Sequence, residues 1–298
     1  MYRTFVTTTG TWWPEVPGIS LGELSLAATS LEAYDDIFHP AFTDEFMEWC
    51  KKMKDWADKG YWSKDVLAAP KDDKDNFLSN NSGAFITHQP DWTGAYGTIQ
   101  EKLDGMNTNF WCYALETDKL KRMPCTENIC AVSSTSDHPD RALMLIEKLM
   151  TDERYYRLMQ MGIEGRQYEI IDGTVTKPES YDEAVDNGGF AAWSIRNNRL
   201  NLPYASEDPR RAVQNTEWDK IAHDDPYIGF AFDATNVSAE ISAISNVNST
   251  YGNQLMLGKS TKSVEEAVEE YRNQLTQAGV EKVIEEVKSQ LADWNASK

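Results

Sequence analysis

The chain has 298 residues, of which 41% are hydrophobic and 11% aromatic, so it has enough apolar surface to offset chain entropy and is not an intrinsically disordered protein. Its 29 Lys and Arg against 48 Asp and Glu give a net charge of -19, which excludes nucleic acid and anionic lipid as partners. The length exceeds one typical core and favours two lobes or one large α/β unit.

The first thirteen residues do not look like a targeting signal. Met1–Trp13 contains threonines where a signal peptide would have an apolar core, and no lipidated cysteine follows it. Taken alone, this start indicates a cytoplasmic or incomplete chain. No later stretch approaches the roughly 18 apolar residues that cross a bilayer, so no transmembrane helix is predicted.

The first half of the chain predicts helices with a strand between them. Apolar residues in Asp44–Lys59 recur every three or four positions, which predicts an amphipathic helix that Gly60 ends. The run Gly83–Thr87 predicts a buried strand. A loop over residues 88–94 then leads into a helix over Tyr96–Leu103.

The same alternation follows in the middle of the chain. Ile129–Ser133 predicts a strand, and the run Ser136–Asp140 is expected to supply the N-cap and the early-turn proline of a helix that continues to Met150. A strand followed by a helix, seen twice, is typical of an α/β lobe with helices packed on a sheet.

The last third divides into a loop-rich segment and a helical tail. Asp172–Asp225 is rich in Gly and Pro, with weak helical signals, and is expected to wrap between lobes. Ser263 and Glu266 have the spacing of a capping box at the start of a helix. Gly279 is predicted to break that helix and to precede a last amphipathic helix that reaches Trp294.

The four cysteines Cys50, Cys112, Cys125 and Cys130 could form two disulfides, but we interpret them as buried thiols. Cys125 and Cys130 are too few for a zinc site, and no histidine lies nearby at ligand spacing. We therefore expect no metal and no other cofactor.

Motifs of catalysis are absent from the sequence. It has no nucleophile elbow, phosphate-binding glycine loop, dinucleotide fingerprint or metalloprotease helix. Asp91 and Glu164 could serve as the acid and base of a glycoside hydrolase, but carboxylates are so abundant that such a pair arises by chance. We expect a binding protein, with a glycoside hydrolase as the minority alternative.

Aromatic and polar residues coincide in several predicted loops, a combination that suits a sugar. An indole face can stack on the apolar face of a pyranose while carboxylates, amides and guanidinium groups bind its hydroxyls. The candidate ligand-binding residues are Trp12, Trp13, Asp91, Trp92, Glu164, Arg166, Tyr168, Trp193, Arg196, Asn197 and Asn198.

For several of these residues a structural role is an open alternative. Arg196 could pair with a surface carboxylate, and Tyr168 could pack between lobes. Tryptophans in a chain of this size mostly serve packing, and we assign four of the ten to it because of their helical spacing or position: Trp49, Trp56, Trp218 and Trp294. Loop tryptophans such as Trp193 could serve either purpose.

Six motifs in order resemble one protein family. They are Ala131–Asp152, Met161–Tyr168, Trp193–Asn198, Gly229–Asp233, Gln277–Val283 and Gln290–Trp294. Together they resemble the family 1 extracellular solute-binding proteins, in the lipoprotein-type branch that carries a C-terminal domain of unknown function. The first half resembles the family more loosely, through the turn at Gly60 and the run at Gly83.

The resemblance implies an α/β fold with the two-lobed, type II architecture of periplasmic binding proteins, an incomplete N-terminal lobe and a helical C-terminus. It implies an α/β region over 1–160 and the C-terminal domain over 161–298. Such a protein captures an oligosaccharide-like solute by cleft closure and delivers it to the transmembrane subunits of an ABC permease. A peptide or other polar solute is the alternative cargo. The full-length parent is expected to be an extracellular, membrane-anchored lipoprotein that acts as a monomer.

Overall fold

The computed structural model describes residues 19–20, 26–62, 64–68, 73–83, 89–102, 120, 122, 129–187 and 195–298. For residues 19, 20, 73 and 89–94 it describes the backbone only. The chain divides into two compact units, each built from separated segments. Unit 1 comprises Met1–His88, Lys102–Arg122 and Trp218–Lys298, and unit 2 comprises Gln89–Glu101 and Met123–Glu217. The predicted boundary between 160 and 161 stays a prediction.

Helices make up most of the described secondary structure. The strands are β1 (Ile19–Ser20), β2 (Ala27–Ala28), β3 (Ile37–Phe38), β4 (Glu169–Ile171) and β5 (Thr174–Thr176). The helices are α1 (Asp44–Asp58), α2 (Asp73–Leu78), α3 (Gln89–Lys102), α4 (Pro139–Thr151), α5 (Glu153–Met161), α6 (Glu183–Asp186), α7 (Arg210–Ile221), α8 (Ser238–Val247), α9 (Asn253–Met256), α10 (Val264–Gln277) and α11 (Val280–Ala296). Short 3-10 helices occupy Pro40–Phe42 and Thr235–Val237, and a π-helical turn occupies Asn248–Gly252.

The strands form two small antiparallel sheets. In unit 1, β2 lies between β1 and β3, with Ala27 opposite Phe38. In unit 2, β4 and β5 form a hairpin in which Ile170 is opposite Val175. Its two-residue turn, Asp172-Gly173, has φ of 51° and 77°, which the Asp-Gly pair adopts readily and which matches the twist of the strands. The described part is thus mostly helical, with fewer strands than the α/β prediction implied.

The core of unit 1 is formed by α1 and the C-terminal helices. Thr43 caps α1, where its hydroxyl oxygen accepts a hydrogen bond from the Phe46 amide at 3.2 Å. The buried face of α1 packs with apolar residues of α10 and α11. The buried residues of α1 are Phe46, Trp49, Cys50 and Met53. Those of the C-terminal helices include Val268, Tyr271, Leu275, Val283, Val287 and Leu291. The predicted amphipathic helix at Asp44–Lys59 is confirmed.

Two predicted boundaries of the C-terminal helices are also confirmed. The Ser263 hydroxyl oxygen accepts from the Glu266 amide at 3.3 Å, and the Glu266 carboxylate accepts from the Ser263 amide at 3.2 Å. This is the predicted capping box of α10. Gly279 separates α10 from α11 with φ of 89°, a left-handed conformation that glycine adopts without a Cβ penalty. Trp294 and Trp56 pack against the unit 1 core, as predicted.

Several predictions in unit 2 are wrong. Ile129–Ser133 is an exposed segment without strand structure. The helix predicted from Tyr96 begins at Gln89, so the predicted loop over 89–94 is helical. Within the run Ser136–Asp140, the cap position of α4 is His138, whose side chain makes no capping hydrogen bond, and Pro139 lies in the first turn as predicted. The segment Asp172–Asp225, with its weak helical signals, contains α6 and α7. In unit 1, only Gly83 of the strand predicted at Gly83–Thr87 is among the described residues, so that strand stays a prediction.

The cysteines divide between core and surface. Cys50 is a buried free thiol, as predicted, but Cys130 is free and exposed, so its prediction as a buried thiol is wrong. Cys112 and Cys125 lie outside the described residues. Among the helices that the structure describes, none is long and apolar enough to cross a membrane.

Candidate functional site

The turn between α5 and β4 carries three of the candidate residues. Gly162 ends α5 with φ of 89°, and a Cβ at this position would overlap the Gln167 side chain. That side chain accepts a hydrogen bond from the Ile163 amide at 2.9 Å, and the Gly165 amide donates to the Tyr168 carbonyl at 2.7 Å. The turn that presents Glu164, Arg166 and Tyr168 is therefore fixed by its own backbone and by Gln167.

Arg166 is attached to α6 by an ion pair. Its Nε donates to Oδ1 of Asp186 at 2.8 Å, and the other carboxylate oxygen accepts from the Asp182 amide at 3.2 Å. The Asp182 amide and the Arg166 guanidinium, in that order, lower the pKa of Asp186. Gln167 adds a bond from Nε2 to the Asp186 carbonyl at 3.2 Å. The guanidinium of Arg166 thus serves the fold, although its side chain remains 59% exposed.

Tyr168 and Glu164 lie together at the end of this turn. Tyr168 is buried, whereas Glu164 is exposed. Burial, and next the Glu164 carboxylate, raise the pKa of the Tyr168 hydroxyl above its usual range. The burial of Tyr168 favours the packing alternative for this residue, within unit 2.

The segment Ile195–Asn201 carries the second group of candidates, and Asn197 anchors it. The Asn197 amide group donates from Nδ2 to the Met150 carbonyl at the end of α4, at 2.8 Å. Its Oδ1 accepts from the Arg199 amide at 3.0 Å. Both ends of the side chain are therefore engaged within the protein. Asn198 is exposed, and its Oδ1 accepts from Nδ2 of Asn201 at 3.3 Å.

A buried tyrosine of α5 joins this segment to the helices. The Tyr156 hydroxyl donates to Oδ1 of Asn201 and accepts from the backbone amide of Asn197 at 3.4 Å. Tyr156 is 1% exposed. The segment is therefore held at two points, the Tyr156 hydroxyl and the Met150 carbonyl.

Tyr204 brings the two groups into one neighbourhood of unit 2. The Val175 amide of β5 donates to the Pro203 carbonyl at 2.9 Å, and the Ala205 amide donates back to Val175 at 2.9 Å. Burial raises the pKa of the Tyr204 hydroxyl, as do the Glu207 carboxylate and then the phenols of Tyr156 and Tyr168. The turn, the hairpin and the 195–201 segment thus meet around three tyrosines.

Three described candidates present exposed polar side chains: Glu164, Arg196 and Asn198. In the part of the chain that the structure describes, the Arg196 guanidinium has no hydrogen-bond or ion-pair partner. A carboxylate, a guanidinium and an amide together can accept from and donate to adjacent hydroxyls. No metal-binding group of three or more His, Cys, Asp or Glu occurs among the residues described.

The remaining candidates are not described as side chains. Trp12, Trp13 and Trp193 lie outside the described residues. Asp91 and Trp92 have a described backbone, in the first turns of α3, but their side chains lie outside the description. Their predicted role in ligand binding stays a prediction.

Sequence analysis missed the residues that organise this region: Tyr156, Asp186, Asn201 and Tyr204. Tyr156 is part of an amphipathic helix, where an aromatic residue indicates packing and nothing in the spacing shows a hydroxyl partner 45 residues away. The pair Asn197-Asn198 followed by Asn201 was the available signal, since clustered asparagines commonly hold irregular backbone.

Comparison with known proteins gives a matching family model and a curated relative. Residues 226–296 match the family described as "Domain of unknown function (DUF3502)". A "Carbohydrate ABC transporter substrate-binding protein" of Streptococcus pneumoniae serotype 4 (strain ATCC BAA-334 / TIGR4) is 25% identical over 170 residues. The chain is a homologue of these substrate-binding proteins. The family resemblance and the C-terminal domain of unknown function predicted from the motifs are confirmed, and the homologue's class is a binding protein and not an enzyme.

Solved structures show the fold of this substrate-binding protein homologue. The N-glycan transport solute binding protein (NgtS) from Streptococcus pneumoniae matches 98% of this chain with a TM-score of 0.68 and 19% identity. The same protein in complex with Man5GlcNAc matches with a TM-score of 0.60 and 20% identity. This chain covers 62% and 63% of those two chains, and 34% of the curated relative. It therefore shares the fold of part of a longer solute-binding protein.

Proposed function

We propose that the chain belongs to the substrate-binding component of an ABC importer and that it binds a neutral oligosaccharide containing mannose and N-acetylglucosamine. The observation that carries the proposal is the homology with a carbohydrate ABC transporter substrate-binding protein. It is supported by the fold shared with NgtS, whose structures include complexes with Man1GlcNAc and Man5GlcNAc.

The chemistry of the candidate residues suits such a ligand. Glu164, Arg196 and Asn198 supply exposed acceptors and donors for hydroxyl and N-acetyl groups. Trp193, a predicted stacking residue, would cover the apolar face of a pyranose. Sugar sites combine such apolar area with a few oriented polar groups.

The charge of the chain argues for a neutral glycan. A net charge of -19 repels anionic ligands at long range, and this repulsion weakens as salt is added. Sialylated or uronic oligosaccharides are therefore expected to bind more weakly than neutral ones of the same length.

The remaining parts of the proposal follow from the family resemblance. The parent protein would be an extracellular lipoprotein that acts as a monomer and delivers its solute to the transmembrane permease subunits. Ligand-driven closure would then require a higher affinity of the ligand for the closed form than for the open one.

Isothermal titration calorimetry with Man1GlcNAc and Man5GlcNAc tests the proposal, with maltopentaose as the comparison sugar. We expect the mannose-containing glycans to bind and both Trp193→Ala and Arg196→Ala to weaken binding by roughly tenfold or more. Arg141→Ala is the matched control, since Arg141 is exposed on α4 outside the candidate set. Absence of binding by all three sugars would contradict the proposal.

Two outcomes would support other functions. Binding of acidic peptides that Arg196→Ala abolishes would favour a peptide cargo, because a guanidinium that has no partner among the described residues suits a carboxylate. Release of product from chromogenic glycosides, lost in Glu164→Gln, would indicate a glycoside hydrolase.

A further inference from the structure

We propose that Tyr156 and Asn197 are positioning residues for the glycan site: they contact no ligand but hold the Ile195–Asn201 segment in the conformation that binds it. The inference rests on the proposed function, since it concerns how the same site is formed. It also replaces the direct ligand contact predicted for Asn197 with a structural one.

The first step is the position of the Tyr156 hydroxyl. Tyr156 lies in α5 and is buried, so its hydroxyl has little access to water. The oxygen donates its proton to Asn201 and accepts the backbone amide of Asn197. One hydroxyl thus connects Asn197 and Asn201, the two ends of a five-residue stretch, to α5.

The second step is the side chain of Asn197. Its Nδ2 donates to the Met150 carbonyl at 2.8 Å, which satisfies an acceptor at the open end of α4. Its Oδ1 accepts from the Arg199 amide at 3.0 Å, which closes a turn inside the segment. Both ends of the amide group are thus held by the protein, which leaves a ligand only the second Nδ2–H and the second lone pair of Oδ1.

The third step is what these bonds place at the surface. Arg196 and Asn198 flank Asn197 on either side, and both are exposed. A backbone fixed at 197 and 201 restricts the directions that these two side chains can take. Ordering a free segment costs conformational entropy, so a segment ordered before binding keeps that cost out of the affinity.

The test is a double-mutant cycle on glycan affinity with Tyr156→Phe and Asn201→Ala, measured by titration calorimetry on the full chain. Each single variant is expected to bind Man5GlcNAc roughly tenfold more weakly. The double variant should lose less affinity than the sum of the two single losses, because the Tyr156–Asn201 bond is broken in both. Hydrogen exchange should show faster exchange of the Asn197 and Arg199 amides in all three.

The matched control is Tyr271→Phe in unit 1. The Tyr271 hydroxyl is also buried and also donates to an asparagine oxygen, Oδ1 of Asn248 at 2.7 Å. Both Tyr→Phe variants are expected to lose similar thermal stability, but only Tyr156→Phe should lose affinity. A purely structural role for Tyr156 would give the two variants the same affinity.

The outcomes separate this inference from the proposed function. If the unmodified chain binds glycan and Tyr156→Phe binds it equally well, the positioning role is overturned and the function stands. The positioning role is also overturned if Tyr271→Phe loses as much affinity, or if the losses in the cycle add. If the unmodified chain binds no glycan, the proposed function fails, and the positioning role with it.

Discussion

Arg272 of α10 donates from Nε to the carbonyl of Ala41 at 2.6 Å, across 231 residues of sequence. Its Nη2 also donates to the Thr43 carbonyl at 2.9 Å. The guanidinium therefore attaches the turn before α1 to the C-terminal helices. Because Thr43 is the cap of α1, this contact joins the start of one core helix to the middle of another.

Replacement of Arg272 by Ala removes two charge-assisted hydrogen bonds from this junction. Each such bond contributes roughly 1.5 to 3 kcal/mol, so the free energy of unfolding should fall by about 3 to 6 kcal/mol. Urea denaturation followed by circular dichroism measures the change. Arg141→Ala, at an exposed position, should change stability by less than about 0.5 kcal/mol. Equal effects of the two variants would contradict a structural role for Arg272.

His39 should make the protein less stable in mild acid. Burial lowers the pKa of its imidazole from 6.5 to about 3 in the folded state, so folding favours the neutral form. The contribution of neutral His39 to the free energy of unfolding is complete above pH 6.5 and is lost as the pH falls from 6.5 towards 3. At pH 5 this residue alone should remove about 2 kcal/mol, because one pKa unit corresponds to about 1.4 kcal/mol.

The variant His39→Gln should reduce this acid sensitivity, even if it lowers stability at pH 7.5. Unfolding by urea at pH 7.5, 6 and 5 gives the slope of the free energy of unfolding against pH. The control His138→Gln, at an exposed position, should retain the slope of the unmodified chain. An unchanged slope in His39→Gln would show that other groups cause the acid destabilisation.

The two described cysteines should differ in reactivity. Burial raises the pKa of the Cys50 thiol to about 12, with a smaller opposing effect from Arg272, so almost no thiolate forms at pH 8. Cys130 is exposed. Iodoacetamide should label Cys130 in the folded protein and Cys50 only after unfolding, as peptide mapping by mass spectrometry can show. Labelling of Cys50 in the folded protein at the rate of Cys130 would contradict its burial.

Two glycines provide a test of close packing against α1. Gly258 has φ of 59°, and a Cβ there would overlap the Met53 carbonyl oxygen. Gly60 has φ of 73° and open space around it. Gly60→Ala should cost about 1 to 2 kcal/mol from backbone strain alone. Gly258→Ala adds a steric overlap with backbone, so we expect it to cost more than about 3 kcal/mol in urea denaturation. Similar losses in the free energy of unfolding for both variants would exclude the close approach of Gly258 to the Met53 carbonyl.

Local rules account for the predictions that are confirmed. Apolar spacing in Asp44–Lys59, the Ser263–Glu266 pair and Gly279 each act within one or two helical turns, so their signals are complete in a short window of sequence. The family resemblance also depends on short motifs, and it was confirmed by the comparison with known proteins.

The wrong predictions concern segments whose structure depends on distant partners. Ile129–Ser133 has strand-forming residues, but a strand needs a neighbour to satisfy its backbone, and none pairs with it among the described residues. Residues 89–94 contain Pro90 and Gly94, which favour a loop locally, yet they form the first turns of α3. Pro90 fits there because backbone N–H groups in the first turn have no acceptor within the helix, so the missing N–H of proline costs no hydrogen bond.

For this protein, the sequence alone determined the main helices of unit 1, the net negative charge and the resemblance to solute-binding proteins. The tertiary structure decided the contacts of two candidate residues, because Asn197 and Arg166 are bound by Met150, Tyr156 and Asp186. Those partners lie 20 to 47 residues away. Hydrogen bonds at such separations depend on how the chain folds back on itself, and neither composition nor spacing encodes them directly.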